Sequence, residues 1–546
     1  MKNSTIKTLL IDGYLDEPSC LGVPPYISPH IRYTYGALLD AGIKRKNLDY
    51  KTIDSLRENW VENLEKMEDY DLLILIAGTT VPGHYLGGRP ISITEIKELS
   101  EKVYYPSKIL GGPITLVRDD FKKFDHICQE IAALDIYQTL TEKINDIKPA
   151  KITSLISKWS LKGAEVTKEH PNFPHLMIEL ETFRGCPRAS GHCSFCSERL
   201  KNRTYQRPPE DIINEVEKLA SLGNHNYRLG CQTDMLLYQY KNDNGKLKPN
   251  PAAIKELYEG ITMADPKSNV LHLDNMNPAD IVKYEKESRE ILNTIVNYNS
   301  PGDIAAFGLE SADPQVIEKN NIASTPEIAF KAIKIMNEIG GIRENGIPKL
   351  LPGLNFLHGL IGEREETMEY NYNFLKKVYD EGLMLRRINI RQVVTLGSYP
   401  EIEIDKKKFK EYKEKINKEI NKPMLQRVYP KGTILRNVLT EKKKGKITYG
   451  RQLGTYPILV GIPGDLPENV MMNVKIIDHG YRSITALAWP LDFRNLTPDQ
   501  LRNIPGIGKK RSNQIFLENP DSLEDLRKII EEKLNYNDLD LSWLYH

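Results

Sequence analysis

The 546 residues exceed what one hydrophobic core can use, and at about 100 to 200 residues per domain they imply three or four domains. With 40% hydrophobic and 27% charged residues, the composition excludes a disordered or fibrous chain. The 75 Lys and Arg balance 74 Asp and Glu, so net charge selects no partner and only local charge can. No run of about 18 uncharged apolar residues marks a transmembrane helix. The first apolar stretch stops at Asp12, too short for a signal peptide, and a cytoplasmic protein without a membrane partner is expected.

Apolar runs at 6–12, 71–77 and 108–112 end in Gly or polar residues and are separated by helical stretches such as 90–105. This is the pattern of buried parallel strands with crossover helices, an α/β layer over residues 1–175. A second α/β series fills 176–402, with strands predicted at 176–182, 227–230, 270–273, 304–309, 354–361 and 388–396 and helices at 209–222, 326–339 and 365–381. Six such units make a (βα)6 partial TIM barrel whose active side is the C-terminal strand ends. Residues 403–490 hold a Lys-rich helical linker and then short strands broken by Gly and Pro, a small antiparallel β-barrel. The segment 491–546 reads as a helical hairpin around Pro505-Gly506-Ile507-Gly508.

Three of the six cysteines, Cys186, Cys193 and Cys196, fall within eleven residues, CPRASGHCSFC. In a reducing compartment such clustering points to metal or redox chemistry. One reading is a zinc site with the Cys193/Cys196 pair completed by His192 or Cys231. The other is an iron-sulfur cluster held by three thiolates, which leaves one iron open.

A three-cysteine loop after the first strand of a βα barrel resembles the radical S-adenosylmethionine (SAM) superfamily. The resemblance implies a [4Fe-4S] cluster on Cys186, Cys193 and Cys196, with SAM on the fourth iron. It implies reductive cleavage of SAM to a 5′-deoxyadenosyl radical, with electrons from a donor such as ferredoxin or flavodoxin. The first gap has six residues where three are usual, and Phe195 fits the aromatic before the last cysteine. Four later segments are similar to the family's in order: YRLGCQTDM places Gln232 and Asp234 where the SAM amino group is held, and FGLES places Glu310 and Ser311 at the ribose or carboxylate. GLIGE places Glu363 near the adenine, and RQVVTL places Val394 and Leu396 against it. Cys231, expected at the barrel mouth, is a candidate catalytic thiol or a small buried one.

The N-terminal layer resembles the flavodoxin/Rossmann-like, cobalamin-binding domain that precedes many of these barrels. Its first loop lacks the ligating His of the Asp-x-His-x-x-Gly pattern, and His84 follows a later strand, so cobalamin is not the expected ligand although it stays open. IPGIGKKRS resembles a helix-hairpin-helix motif. There Gly506, Gly508, Lys509, Lys510 and Arg511 would meet a nucleic-acid phosphate with backbone amides and positive charge. The small barrel is similar to the TRAM/OB-like barrel of tRNA methylthiotransferases, with Lys444, Lys446, Tyr449 and Arg451 as RNA contacts. The expected enzyme methylates or methylthiolates a nucleic acid, RNA rather than DNA. The alternatives are a cobalamin-dependent methylase of a small molecule or protein, and a zinc-stabilised nucleic-acid-binding protein without activity.

Overall fold

The computed structural model describes residues 3–17, 20–79, 86–142, 149–188, 191–201, 204–394, 399–492, 498–533 and 544–545. In the N-terminal layer, β1 (Thr8–Asp12), β2 (Leu48–Thr52), β3 (Leu72–Ile76), β4 (Ser107–Gly111) and β5 (His126–Ile127) form one parallel sheet in the order β2-β1-β3-β4-β5. That is the doubly wound order, reversing between β1 and β3. Alternate side chains face opposite ways. Leu9, Ile11, Leu73 and Leu75 pack toward α2 (Ile93–Lys102), whereas Leu10, Ile74, Ile76 and Ile109 join a core that continues into the barrel. Burial on both faces explains the uninterrupted apolar runs.

Helices α1 (Pro29–Asp40) and α3 (Pro149–Gly163) cross where neither has a side chain. A Cβ on Gly36 would lie 2.1 Å from the Trp159 carbonyl oxygen, and one on Gly163 would lie 1.7 Å from that of Arg32. Contact of backbone with backbone is what those glycines permit.

The barrel strands are β6 (Met177–Glu181), β7 (Asn226–Gly230), β8 (Val270–Leu273), β9 (Asp303–Glu310), β10 (Leu350–His358) and β11 (Arg387–Gln392), all paired in parallel. They form two sheets, β8-β7-β6 and β9-β10-β11, joined through the parallel bridge Asn275–Ala306. The two-residue strand Tyr26–Ile27 from the N-terminal layer pairs with β6 and extends the first sheet. Helices α4 (Pro209–Ser221), α5 (Pro251–Ala264), α6 (Glu285–Tyr298), α7 (Pro326–Gly340) and α8 (Thr367–Asp380) lie between strands, three of the five starting with Pro.

Layer and barrel are also joined by charge. Arg32 of α1 and Arg207 both pair with Glu215 of α4, at 2.8 and 2.6 Å, with all three side chains fully buried. Removing one partner of such a network strands the others in low dielectric, at a cost of about 3–5 kcal/mol.

After α9 (Lys406–Ile416), strands β12 (Ile434–Lys444), β13 (Ile447–Gln452), β14 (Leu459–Pro463), β15 (Met471–His479) and β16 (Ser483–Trp489) close a five-stranded barrel in the order β12-β13-β14-β16-β15. Its core includes Val438, Val460, Val474 and Ile484. The helical end, with α10 (Lys509–Glu518), has its own small core of Leu501, Ile504, Ile507, Ile515 and Leu526. No helix among the described residues is long and apolar enough to cross a membrane.

Candidate active site

The loop after β6 carries the cysteine triad to the C-terminal mouth of the barrel. Gly185 turns the chain with φ +93°, and the Thr233 hydroxyl beyond β7 donates to its carbonyl at 3.4 Å. The far side of the loop is pinned to the turn after the short helix Pro314–Lys319 that follows β9: the Ser194 amide and hydroxyl reach Asn320 at 3.1 and 2.8 Å, and Phe195 packs with Val316, Ile322, Leu360 and Tyr399. Arg188, one of the extra residues in the long first gap, donates to Cys193 Sγ at 3.4 Å.

Burial raises all three thiols above the usual cysteine range, and Cys186 opposes ionisation of both Cys193 and Cys196. The thiols therefore share one locality and call for a positive partner. Among the described residues, the sets of three metal-ligating atoms within 4.8 Å of one another do not include the triad. A single zinc ion, with Zn–S of about 2.3 Å, would hold its sulfurs roughly 3.8 Å apart. Three clustered thiols at the mouth of a cavity are the donor set of a multi-iron cluster with one iron open.

Behind the triad lies a cavity of about 340 Å³ lined by all three cysteines. Its walls come from the ends of every barrel strand: Thr233 and Asp234 after β7, Asn275 and Met276 after β8, Glu310 closing β9, Asn355 to Leu357 in β10, and Arg387, Asn389 and Arg391 in β11. Glu310 has φ +60°, a conformation that non-glycine residues hold mainly where structure or function imposes it. Burial pushes its carboxyl up to about 8 against the opposing charge of Arg391. Asp234 Oδ1 takes the Leu236 and Asn277 amides, while Oδ2 is buried without a donor. Burial and the facing carboxylate of Asp280 hold Asp234 far above the normal carboxylate range.

Asp234, Glu310 and Val394 thus line the cavity with the triad. Other expected residues stand elsewhere. Gln232 is fully buried behind the wall, its carbonyl accepting from Asn275 Nδ2. Ser311 is buried and accepts from the Asp313 amide, a turn bond. Glu363 takes the Gly359 and Leu360 amides and closes the turn after β10. Cys231 lies away from the mouth, against Cys20 and Glu179. Leu396 and His84 lie outside the described residues. Glu310 and Ser311 are neighbours at a strand end and point to opposite sides, whereas Gln232 and Asp234, two residues apart beyond β7, are separated by the irregular backbone that follows the positive φ of Cys231.

A second, larger cleft of about 690 Å³ adjoins the first, sharing Asp16, Leu21, Asn389, Val394 and Tyr456 with it. It runs between β11, α9 and the small barrel, and it is lined by Arg386, Arg387, Arg391, Lys413, Arg451 and Arg482, with Asp16 as its acidic residue. Among the described residues, Arg387, Arg391 and Arg482 have no carboxylate within ion-pair distance. The Arg387 guanidinium lies 3.8 Å over the Tyr456 ring. Burial, with Arg391 and Arg482 as like-charged neighbours, pushes it down to about 10. This cleft is absent from the sequence expectations, although Arg387, Asn389 and Arg391 recur with the period of two that puts side chains on one face of a strand.

Of the expected RNA contacts on the small barrel, Lys444 and Lys446 are exposed at the β12–β13 turn. Arg451 is bound to Glu441 at 2.5 and 2.6 Å and is not free for a phosphate. In the hairpin, Gly506 has φ +88° and Arg511 donates back to its carbonyl at 2.7 Å. Gly508 caps α10, with Lys509 and Lys510 exposed behind it.

The family model described as Radical SAM superfamily matches residues 180–375, which span the triad and strands β7 to β10. The chain is 40% identical over 529 residues to an uncharacterized protein of Archaeoglobus fulgidus, covering 94% of this chain and 96% of that one. It is 25% identical over 269 residues to the tRNA-2-methylthio-N(6)-dimethylallyladenosine synthase of Clostridioides difficile, or 47% of this chain and 49% of that one. The solved cobalamin-dependent SAM radical enzyme OxsB is similar with a TM-score of 0.46 and 14% identity, over 76% of this chain and 56% of that one. The chain belongs to the Radical SAM superfamily and is an enzyme. Within that superfamily it forms one family with its archaeal relative, over nearly its whole length.

Proposed function

We propose that this enzyme uses a [4Fe-4S] cluster on Cys186, Cys193 and Cys196, and SAM in the adjoining cavity, to modify an RNA. Three thiolates suit a cluster with one open iron, and the cavity offers SAM Asp234, whose Oδ2 has no donor, and Glu310 beside apolar Met276, Phe356 and Val394. When bound, cluster and SAM together supply reductive carbon–sulfur cleavage and hydrogen-atom abstraction. The chain's own part is to position them, to exclude water and to deliver the substrate.

The observation that carries the RNA reading is the arginine cleft. Three guanidinium groups without carboxylate partners lie in the cleft that adjoins the cavity, and like charges held together in a partly buried cleft favour a polyanion. Tyr481, exposed, lines the same cleft and offers a face on which a base can stack. The hairpin at α10, about phosphate rather than sequence, adds a second contact to backbone. The Clostridioides relative, a tRNA-modifying synthase, supports the same reading.

The test is binding of bulk tRNA to the anaerobically reconstituted enzyme across a salt series. Arg386→Glu combined with Arg482→Glu, at two cleft residues that do not line the cluster cavity, is expected to weaken retention at least tenfold and to flatten the salt dependence by about two phosphate contacts, while 5′-deoxyadenosine is still formed from SAM in reductant. Retention unchanged in the double variant would refute the RNA reading.

A further inference from the structure

The six cysteines include two that the cluster does not use and that the fold brings together from opposite ends of a 211-residue separation: Cys20, on the hairpin Asp16–Glu17/Cys20–Leu21, and Cys231, just past β7. Their sulfurs and a carboxylate oxygen of Glu179 in β6 all lie within 4.8 Å of one another. Cys20 Sγ belongs to a second such set, with Glu17 and His30. We propose that Cys20, Cys231 and Glu179, with His30 as fourth donor, bind a zinc-class divalent ion at the seam between the N-terminal layer and the barrel.

Several independent features point to a ligand here. Glu179 is fully buried; the Cys231 thiol donates to its Oε1 at 4.0 Å, and its Oε2 has no hydrogen-bond donor, a costly arrangement that a cation bound by the carboxylate would relieve. Arg228 holds the other oxygen at 2.5 Å and so orients the carboxylate, as residues behind metal ligands do. A Cβ on Gly230 would lie 1.9 Å from Glu179 Oε1, so the glycine is what admits the carboxylate to this spot. Cys231 is turned toward it by a left-handed backbone, φ +55°. Two sulfurs, a nitrogen and an oxygen suit tetrahedral zinc, whose ligand atoms lie about 3.5–3.8 Å apart; the two sulfurs and the Glu179 oxygen, within 4.8 Å of one another, need close by only about 1 Å, and His30, which shares that spacing with Cys20, would move in to complete the set. As each metal–sulfur bond forms, the thiol proton leaves to solvent. The ion would fix the hairpin whose Asp16 and Leu21 line both the cluster cavity and the arginine cleft.

Metal analysis of the full-length enzyme after anaerobic reconstitution tests this. About one zinc per chain is expected beside the cluster iron. Cys20→Ser and Cys231→Ser should each lose the zinc and keep the iron, and Cys186→Ala should keep the zinc and lose the iron. Should the serine variants fail to fold, wild-type protein produced with Co2+ in place of zinc should show thiolate-to-cobalt charge-transfer absorption. Zinc that leaves with Cys186→Ala, a wild-type protein with neither zinc nor the cobalt band, or a Cys20–Cys231 disulfide in a non-reduced peptide map would overturn the assignment.

Discussion

Arg188 Nη1 donates to Cys193 Sγ at 3.4 Å and to the Asn321 carbonyl at 2.6 Å, so one guanidinium ties a cluster ligand to the turn after the short helix that follows β9. The six-residue first gap of the triad is long enough to bring this arginine back over the sulfur. A donor to a thiolate stabilises the more negative, reduced cluster. Arg188→Ala is therefore expected to assemble a cluster whose potential falls by an amount on the order of tens of millivolts, since a hydrogen bond to a charged group is worth about 1.5–3 kcal/mol and only part of it differs between redox states. Potentiometric titration followed by electron paramagnetic resonance reads the shift, and an unchanged potential would show that the contact does not act on the cluster.

Asp12, at the C-terminal end of β1, is buried and pushed up to about 7 by desolvation, despite accepting from the Tyr14 amide at 2.9 Å and the Tyr50 hydroxyl at 2.9 Å. Its folded value exceeds its unfolded one, so between about pH 4 and 7 the folded state binds more proton and stability falls as pH rises. Asp12→Asn should remove that decline. Thermal melts at pH 5 and pH 7.5 would show the wild type losing a few degrees more than the variant.

Gly36 meets the Trp159 carbonyl at a distance no side chain can share. Gly36→Ala must push α1 and α3 apart, and a loss of about 3 kcal/mol or more is expected from overpacking at a buried backbone contact. Chemical denaturation monitored by Trp fluorescence checks it, with Gly382→Ala, at an exposed turn with open space, as the control for a milder backbone cost.

Lys509 and Lys510 are exposed at the start of α10 and touch neither cavity. Replacing both with Gln should weaken tRNA binding by a similar factor for all sequences tested and reduce the salt slope by about two, with SAM cleavage retained. An unchanged slope would assign the hairpin to protein contact.

Strand positions were legible because apolar runs bounded by Gly and Pro are a local property. The runs at 270–273 and 304–309 became β8, Val270–Leu273, and β9, Asp303–Glu310. The end of β11 was not: the apolar Val393 and Val394 prolong the run, but pairing with β10 stops at Gln392. Order along a strand also located Asp234 and Glu310 but not the side each neighbour faces, which depends on a one-residue turn at positive φ at Cys231 and at Glu310. Arg482 reaches the cleft from a turn of the small barrel, and Cys20 reaches Cys231 from the N-terminal layer. Those pairings join segments about 90 and 211 residues apart, and no periodicity encodes them.

The strand Tyr26–Ile27 sits beside β6 inside the barrel's own sheet, and Arg32 and Arg207 share Glu215 across the same seam. A cut at residue 175 would therefore expose an unpaired strand edge and strand a buried carboxylate with half its counter-charge. The first 175 residues and the barrel share one sheet and one buried charge network, so neither can be removed without damage to the other. Gene fusions or chimeras that respect this enzyme must take the first 175 residues and the barrel as one heritable block.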